Sequence, residues 1–149
     1  MFEIELDSPD VMSIKTKDRE IKINLAESEI DAGLSAGKVQ GAGEFEIGDA
    51  QIVALSLENG SVLYRIKIGG VKIGLVDKRA KPEDLDELGP IDIFGTDEIK
   101  FVSMVEPKVV IPMGNMDFAD LKGEIRMDKK LKVKNVSALP NGLEIWRLG

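Results

Sequence analysis

The chain of 149 residues contains no histidine and no cysteine. Those two absences exclude a Ser-His-Asp triad and a thiolate nucleophile. They also exclude zinc sites of the usual Cys/His kind and any histidine acid–base step near neutral pH. What remains is carboxylate, lysine, arginine, tyrosine and hydroxyl chemistry. A long apolar run is missing too: none reaches the ~18 residues of a bilayer span. The opening residues, Met1-Phe2-Glu3-Ile4-Glu5-Leu6, alternate and are acidic. They lack the basic stretch and apolar core of a secretory signal. The expectation is a cytoplasmic protein with no membrane partner.

Excess positive charge is also lacking. The formal net charge is −7, and a negative surface repels polyphosphate, so no nucleic-acid partner is expected. Lysines and arginines alternate with acids, as in Lys15-Thr16-Lys17-Asp18-Arg19-Glu20 and Asp128-Lys129-Lys130. That pattern reads as a solvated mixed surface.

What is present is ordinary for a globular domain: 43% apolar and 32% charged residues. A chain of this size can bury a core without disulfides or metal. With no repeat, linker or low-complexity tract, residues 1–149 read as a single domain.

Apolar–polar alternation fills the first half, the mark of half-buried strands. Phe2 to Leu6 reads as one strand. Val11 to Thr16 and Glu20 to Leu25 form a hairpin about Lys17-Asp18-Arg19. Glu27 to Lys38 reads as an irregular connection or one helical turn, because Gly33 and Gly37 weaken the Ile30–Leu34 spacing. Strands resume at Gly43 to Ile47 and Gln51 to Leu57. Ser61 to Ile68 and Val71 to Val76 are joined at Gly69-Gly70, and the latter is apolar enough to be covered on both faces. Pro82 to Gly89 reads as a helix, with proline in its first turn and glycine at its end. Ile91 to Phe94, a helix begun at Thr96-Asp97-Glu98 and ended by Pro107, and Val109-Val110-Ile111 follow. Phe118 to Lys122 reads as one helical turn. Leu131 to Val136 and Leu143 to Leu148 close the chain. An antiparallel half followed by helices between short apolar strands implies two packed sheets with helices outside them.

Several stretches, in one order, resemble the metallo-β-lactamase fold, in particular its branch of small metal-dependent hydrolases. They are Gly41-Ala42-Gly43-Glu44-Phe45-Glu46-Ile47-Gly48, Ser61 to Ile66, Val71 to Asp77, Pro82 to Asp92 and Glu106-Pro107-Lys108-Val109-Val110-Ile111-Pro112-Met113. Met1 to Leu25 resembles the family's three opening strands. The resemblance implies an α+β, αββα sandwich, here reduced, β-rich and with few short helices. It also implies a metal centre, and there the chain departs from the family. The family's H-x-H-x-D-H run would fall within Ala26 to Gln40, which holds no histidine. Its later histidine falls at Gly114. Its bridging aspartate alone is kept, at Asp77. The segment between Phe94 and Phe101 is short as well. By this resemblance the chain is a degenerate member with its zinc ligands gone, and no metal or other cofactor is expected.

The candidate site residues are few. Asp77 can be a leftover ligand or base, or a strand-end aspartate bonded to nearby N–H groups. Glu44, with Glu46, can belong to an acid/base pair, or simply face solvent. Lys78 and Arg79 can bind an anion, or be a solvated loop pair. Glu83, Asp84, Asp86 and Glu87 suit a helix start better than a cation site. Trp146 reads as a core or interface anchor.

Three functions compete. The first is a non-catalytic binding or subunit-association module. The second is a hydrolase with a rebuilt carboxylate and divalent-metal site around Asp77, with Glu44 brought near by the fold. The third is an anion sensor built on Lys78 and Arg79. A homo-oligomer is expected: loss of the metal-binding segment would leave Val109 to Met113, Met116 and Phe118 near an opened mouth.

Overall fold

The computed structural model describes residues 1–33 and 37–149. Its first sheet has six antiparallel strands. They are β1 (Phe2–Ser8), β2 (Val11–Lys15), β3 (Glu20–Asn24), β4 (Glu29–Asp31), β5 (Val39–Gln40) and β13 (Lys130–Val133), in the order β13-β1-β2-β3-β4-β5. The second sheet has eight, in the order β12-β14-β11-β10-β9-β8-β7-β6. Its antiparallel half is β6 (Gly43–Ile47), β7 (Ala50–Ser56), β8 (Val62–Ile68) and β9 (Val71–Val76). Its parallel half adds β10 (Ile93–Thr96), β11 (Val109–Pro112), β14 (Glu144–Leu148) and β12 (Glu124–Asp128) to β9.

Alternation decides which face each strand buries. Phe2, Ile4, Ile14, Ile21 and Ile23 of the first sheet meet Ile52, Ile66, Ile73 and Ile111 of the second in one apolar layer. The opposite face of the second sheet presents Leu63, Val76, Phe94 and Val110. It is covered by the 3₁₀ helix Pro82–Leu88 and by α1 (Lys100–Val105) through Leu85, Leu88, Phe101 and Val102. Strand β9 is thus covered on both sides, as its apolar composition implies. Gly69 and Gly70 take φ of 55° and 82°, the left-handed pair that a two-residue hairpin turn requires.

Several expectations change. The helices that cover a sheet among the described residues, Pro82–Leu88 and Lys100–Val105, both lie on the outer face of the second sheet, so the layer order is β, β, α. The Glu27–Lys38 segment is not a helical turn: Glu29–Asp31 pairs with β3 and with Val39–Gln40. Three residues are too few for alternation to register, and Leu34 lies outside the described residues. Phe118 to Lys122 is a lone turn, closed by Leu121 N–H to Phe118 O at 3.1 Å. The segment read as Leu131 to Val136 ends as a strand at Val133. There Asn135 Oδ1 accepts from Ala138 N at 3.0 Å and caps a 3₁₀ turn. Strand β12, absent from the sequence reading, is exposed at all five positions. Finally, Val109, Val110, Ile111 and Met113 are buried in the layers. They do not form the exposed apolar mouth expected of them, since Val109, Ile111 and Met113 face the first sheet and Val110 faces the helices.

No helix among the described residues is long and apolar enough to cross a membrane. Tyr64 on β8 is fully buried, and its hydroxyl bonds no protein group among the described residues. Burial pushes its pKa well up, with the Glu29 carboxylate adding to the effect. A buried hydroxyl without a partner costs about 1–3 kcal/mol. Tyr64→Phe is therefore expected to keep or raise the melting temperature; a fall of several degrees in a thermal scan would show that the hydroxyl is satisfied.

Candidate functional site

The parallel strands β9, β10 and β11 end together, and open parallel sheets place their sites at such carboxyl ends. Asp77 follows β9, Asp97 follows β10, and Met113-Gly114 follow β11. From the first sheet come Asp10, in the β1–β2 turn, and Leu25 and Ala26, just after β3. Asp10, Leu25, Ala26, Asp77, Lys78, Arg79, Asp97 and Met113 line a cleft of about 240 Å³, with Gly114 just behind it.

Asp77 is 6% exposed. Its Oδ1 accepts the backbone N–H of Arg79 at 2.9 Å and its Oδ2 accepts Arg79 Nε–H at 2.8 Å. Arg79 Nη2 lies 2.6 Å from the same Oδ2, a two-pronged pairing of fork and carboxylate. That Nη2 also donates to the carbonyls of Leu25 and Ala26, at 3.2 Å each. The hydrogen bond to Asp77 raises the Arg79 pKa further, so the cation is permanent. One guanidinium thereby joins the end of β9 to the turn after β3, across the two sheets.

The second carboxylate serves its neighbour's backbone. Asp97 Oδ1 accepts Lys78 N–H at 2.7 Å. Burial holds the Asp97 pKa above the ordinary carboxylate range; the Lys78 N–H opposes this and the Asp77 charge adds to it. Next to Asp97 lies Gly114, whose φ is 57°. A Cβ there would lie 3.1 Å from Asp97 Cβ and 3.7 Å from Asp10 Oδ1.

Of the sequence candidates, the fold unites Asp77, Lys78 and Arg79, and adds Asp10 and Asp97. Glu44 is not among them. It is exposed on β6, three strands from β9 and so about 14 Å away at ordinary strand spacing. The fold therefore does not bring Glu44 to Asp77. Arg79 is engaged in its own chain, and three carboxylates face two cations, which disfavours an anionic ligand. Asp84 Oδ2 accepts Lys81 N–H at 2.7 Å, holding the start of the 3₁₀ helix. Trp146 is half-buried against the inter-sheet core, its Nε1 donating to Glu144 Oε1 at 3.0 Å. Asp10 and Asp97 had no signal in the sequence, because only strand order brings them beside Asp77.

No protein-family profile matches the chain, and no curated protein sequence matches it. Its fold does match solved structures. A crystal structure from Thermotoga maritima, assigned as a Zn-dependent hydrolase of the metallo-β-lactamase superfamily, superposes with a TM-score of 0.70. The match covers 100% of both chains at 13% identity. The CmlA β-hydroxylase, in a mutant form, aligns over 50% of this chain and 25% of its own, with 15% identity and a TM-score of 0.38. The first match shows that the chain has the fold of a metallo-β-lactamase-superfamily protein.

Two outcomes test this geometry. Arg79→Ala leaves a buried carboxylate without its partner and is expected to cost about 1–3 kcal/mol, given the half-exposed arginine. Adding Asp77→Asn should recover part of that loss, and a denaturant double-mutant cycle reads the coupling. The raised Asp97 pKa means that the folded chain holds this proton more tightly than the unfolded chain. Its contribution to stability is therefore full below the ordinary aspartate pKa and is lost as pH rises through the raised value. Asp97→Asn should remove that decline, so that the mutant gains on the wild type in melting temperature between acid and neutral pH.

Proposed function

We propose that this chain is a non-catalytic binding or subunit-association module on a reduced metallo-β-lactamase-like scaffold, with residues 1–149 as one domain. The layer order reads as an αββα sandwich without the helical layer over its six-stranded sheet. The compartment that fits the composition is the cytoplasm.

The observation that supports this most is that Arg79 engages both oxygens of Asp77, its guanidinium on Oδ2 and its backbone N–H on Oδ1. Zinc in a site of this kind is held chiefly by imidazole or thiolate, and the chain has neither side chain. The one carboxylate at the family's bridging position already meets a permanent cation. At Gly114, where the resemblance expects a histidine, the backbone is left-handed, which costs a side chain about 1–2 kcal/mol. Asp97 is turned to Lys78 N–H, and among the described residues no three acidic side chains, Asp10, Asp77 and Asp97 included, are placed to share one metal ion. The residues present do not fit the metal centre, and no catalytic step is derived through one. The same geometry weakens the rival hydrolase, because Asp77 is engaged and Glu44 is distant.

Elemental analysis of a dialysed sample decides between them. The expected result is far less than one zinc, manganese or other transition-metal ion per chain, with a melting temperature unchanged by EDTA. Stoichiometric metal, or a chelator-sensitive hydrolysis abolished by Asp77→Asn, would establish the enzyme instead.

A further inference from the structure

We propose that two copies of the chain join as a two-fold dimer by antiparallel pairing of their β12 strands, centred on Ile125. This deepens the subunit-association reading above and rests on it.

Strand β12 ends the eight-stranded sheet and is bonded on one side, to β14. All five of its residues are exposed, with Ile125 at 48% and Met127 at 71%. A bare edge bearing large apolar side chains is a template for another strand. The direction of its free groups follows from the ladder. Glu124 N–H donates to Leu143 O and Gly149 N–H donates to Asp128 O, both at 3.1 Å. Backbone groups alternate sides along a strand, so Glu124, Arg126 and Asp128 bond inward. The N–H and C=O of Ile125 and Met127 point out, away from β14.

Charge then selects the register, because like charges directly opposite destabilise a strand pair and opposite charges stabilise it. A two-fold axis at Arg126 would set Arg126 against its own copy and Glu124 against Asp128. An axis at Met127 would need Lys129 and Lys130, where the chain has already left for the first sheet and Lys130 pairs with Glu5. An axis at Ile125 sets Glu124 against Arg126 of the second copy, twice by symmetry. Continued outward, it sets Lys122 against Asp128, again twice. Ile125 meets its own copy, and Met127 lies against Gly123, which has no side chain to obstruct it. All four outward backbone groups gain partners within residues 123–127. An isologous contact of this kind closes at two chains.

Light scattering or sedimentation equilibrium of the whole chain, over a micromolar concentration series, tests it. The expected mass is twice the 16.3 kDa of one chain. Ile125→Pro removes an outward N–H and no inward one, a position where an edge strand accepts proline. It is expected to halve the mass. Arg126→Glu places acid against acid and is expected to do the same, so the test survives if the proline variant misfolds. The double exchange Glu124→Arg with Arg126→Glu restores opposite charges in this register and is expected to restore the dimer. A wild type that stays monomeric overturns the proposal and leaves the edge to a strand of another protein. A dimer that survives both single variants places the contact elsewhere, and failure of the exchange to rescue overturns the register. Metal content is read on the same samples: a metal-free monomer sinks the dimer alone, whereas a metal-loaded dimer sinks the non-catalytic reading alone.

Discussion

Arg79 joins the two sheets where their apolar faces run out, and the mouth of the sandwich is arranged around it. The inter-sheet layer can be sealed along its length by isoleucine and valine, but at strand ends the backbone must find polar partners. Here Leu25 and Ala26 offer carbonyls, and Asp77 offers a buried charge. A single guanidinium meets all three because its donors are fixed in a planar fork. Lysine, with one compact charge, could not reach a carboxylate and two carbonyls in the same plane.

That arrangement explains why the surrounding residues look as they do. Once Arg79 holds Asp77, the adjoining backbone is pulled into the cleft, and Lys78 N–H comes to Asp97. Asp97 is thereby held beside a second carboxylate in a half-buried position, which raises its pKa. Gly114 can then turn back toward Pro9, donating its N–H to Pro9 O at 2.8 Å, in a conformation that a side chain would strain. Asp77, the Arg79 guanidinium, Asp97 Oδ1 and the Lys78 and Gly114 N–H groups each meet another group of the same chain. The centre of the cleft is thus a network of its own polar groups.

Most strands that alternate over five or more residues were legible in the sequence, β12 being the exception. Strand β9 and the β2–β3 and β8–β9 hairpins fall where their apolar positions and turn residues put them. The losses have physical causes. Strand β4 is three residues long, and its one buried side chain, Ile30, cannot display a period. Strand β12 does alternate, Glu-Ile-Arg-Met-Asp, but its apolar set is only Ile125 and Met127 and both are exposed, so the five residues between charged neighbours read as a polar connection. The site was legible in part: Asp77, Lys78 and Arg79 are neighbours in sequence, but their roles were not. Asp10 and Asp97 join them only through the order of strands, and Glu44 was separated from them by the same order. The histidine position at Gly114 was legible as an absence, whereas its left-handed backbone needed the fold.

The closed cleft and the open edge belong to one account. Helices cover the second sheet over its central strands, where Leu85, Leu88, Phe101 and Val102 pack on Leu63, Val76, Phe94 and Val110. Their reach ends before β12. The parallel half runs one strand beyond that layer, and among the described residues β12 has one strand neighbour, β14, with its other edge exposed. In a chain whose strand-end cleft is lined by its own Asp77–Arg79 pair, the edge of β12 is one place where backbone hydrogen-bonding groups remain unpaired among the described residues. On the reading proposed above, a partner would be recognised at the side of the sheet and not at the carboxyl ends of the strands, where a metal-dependent fold would place its site.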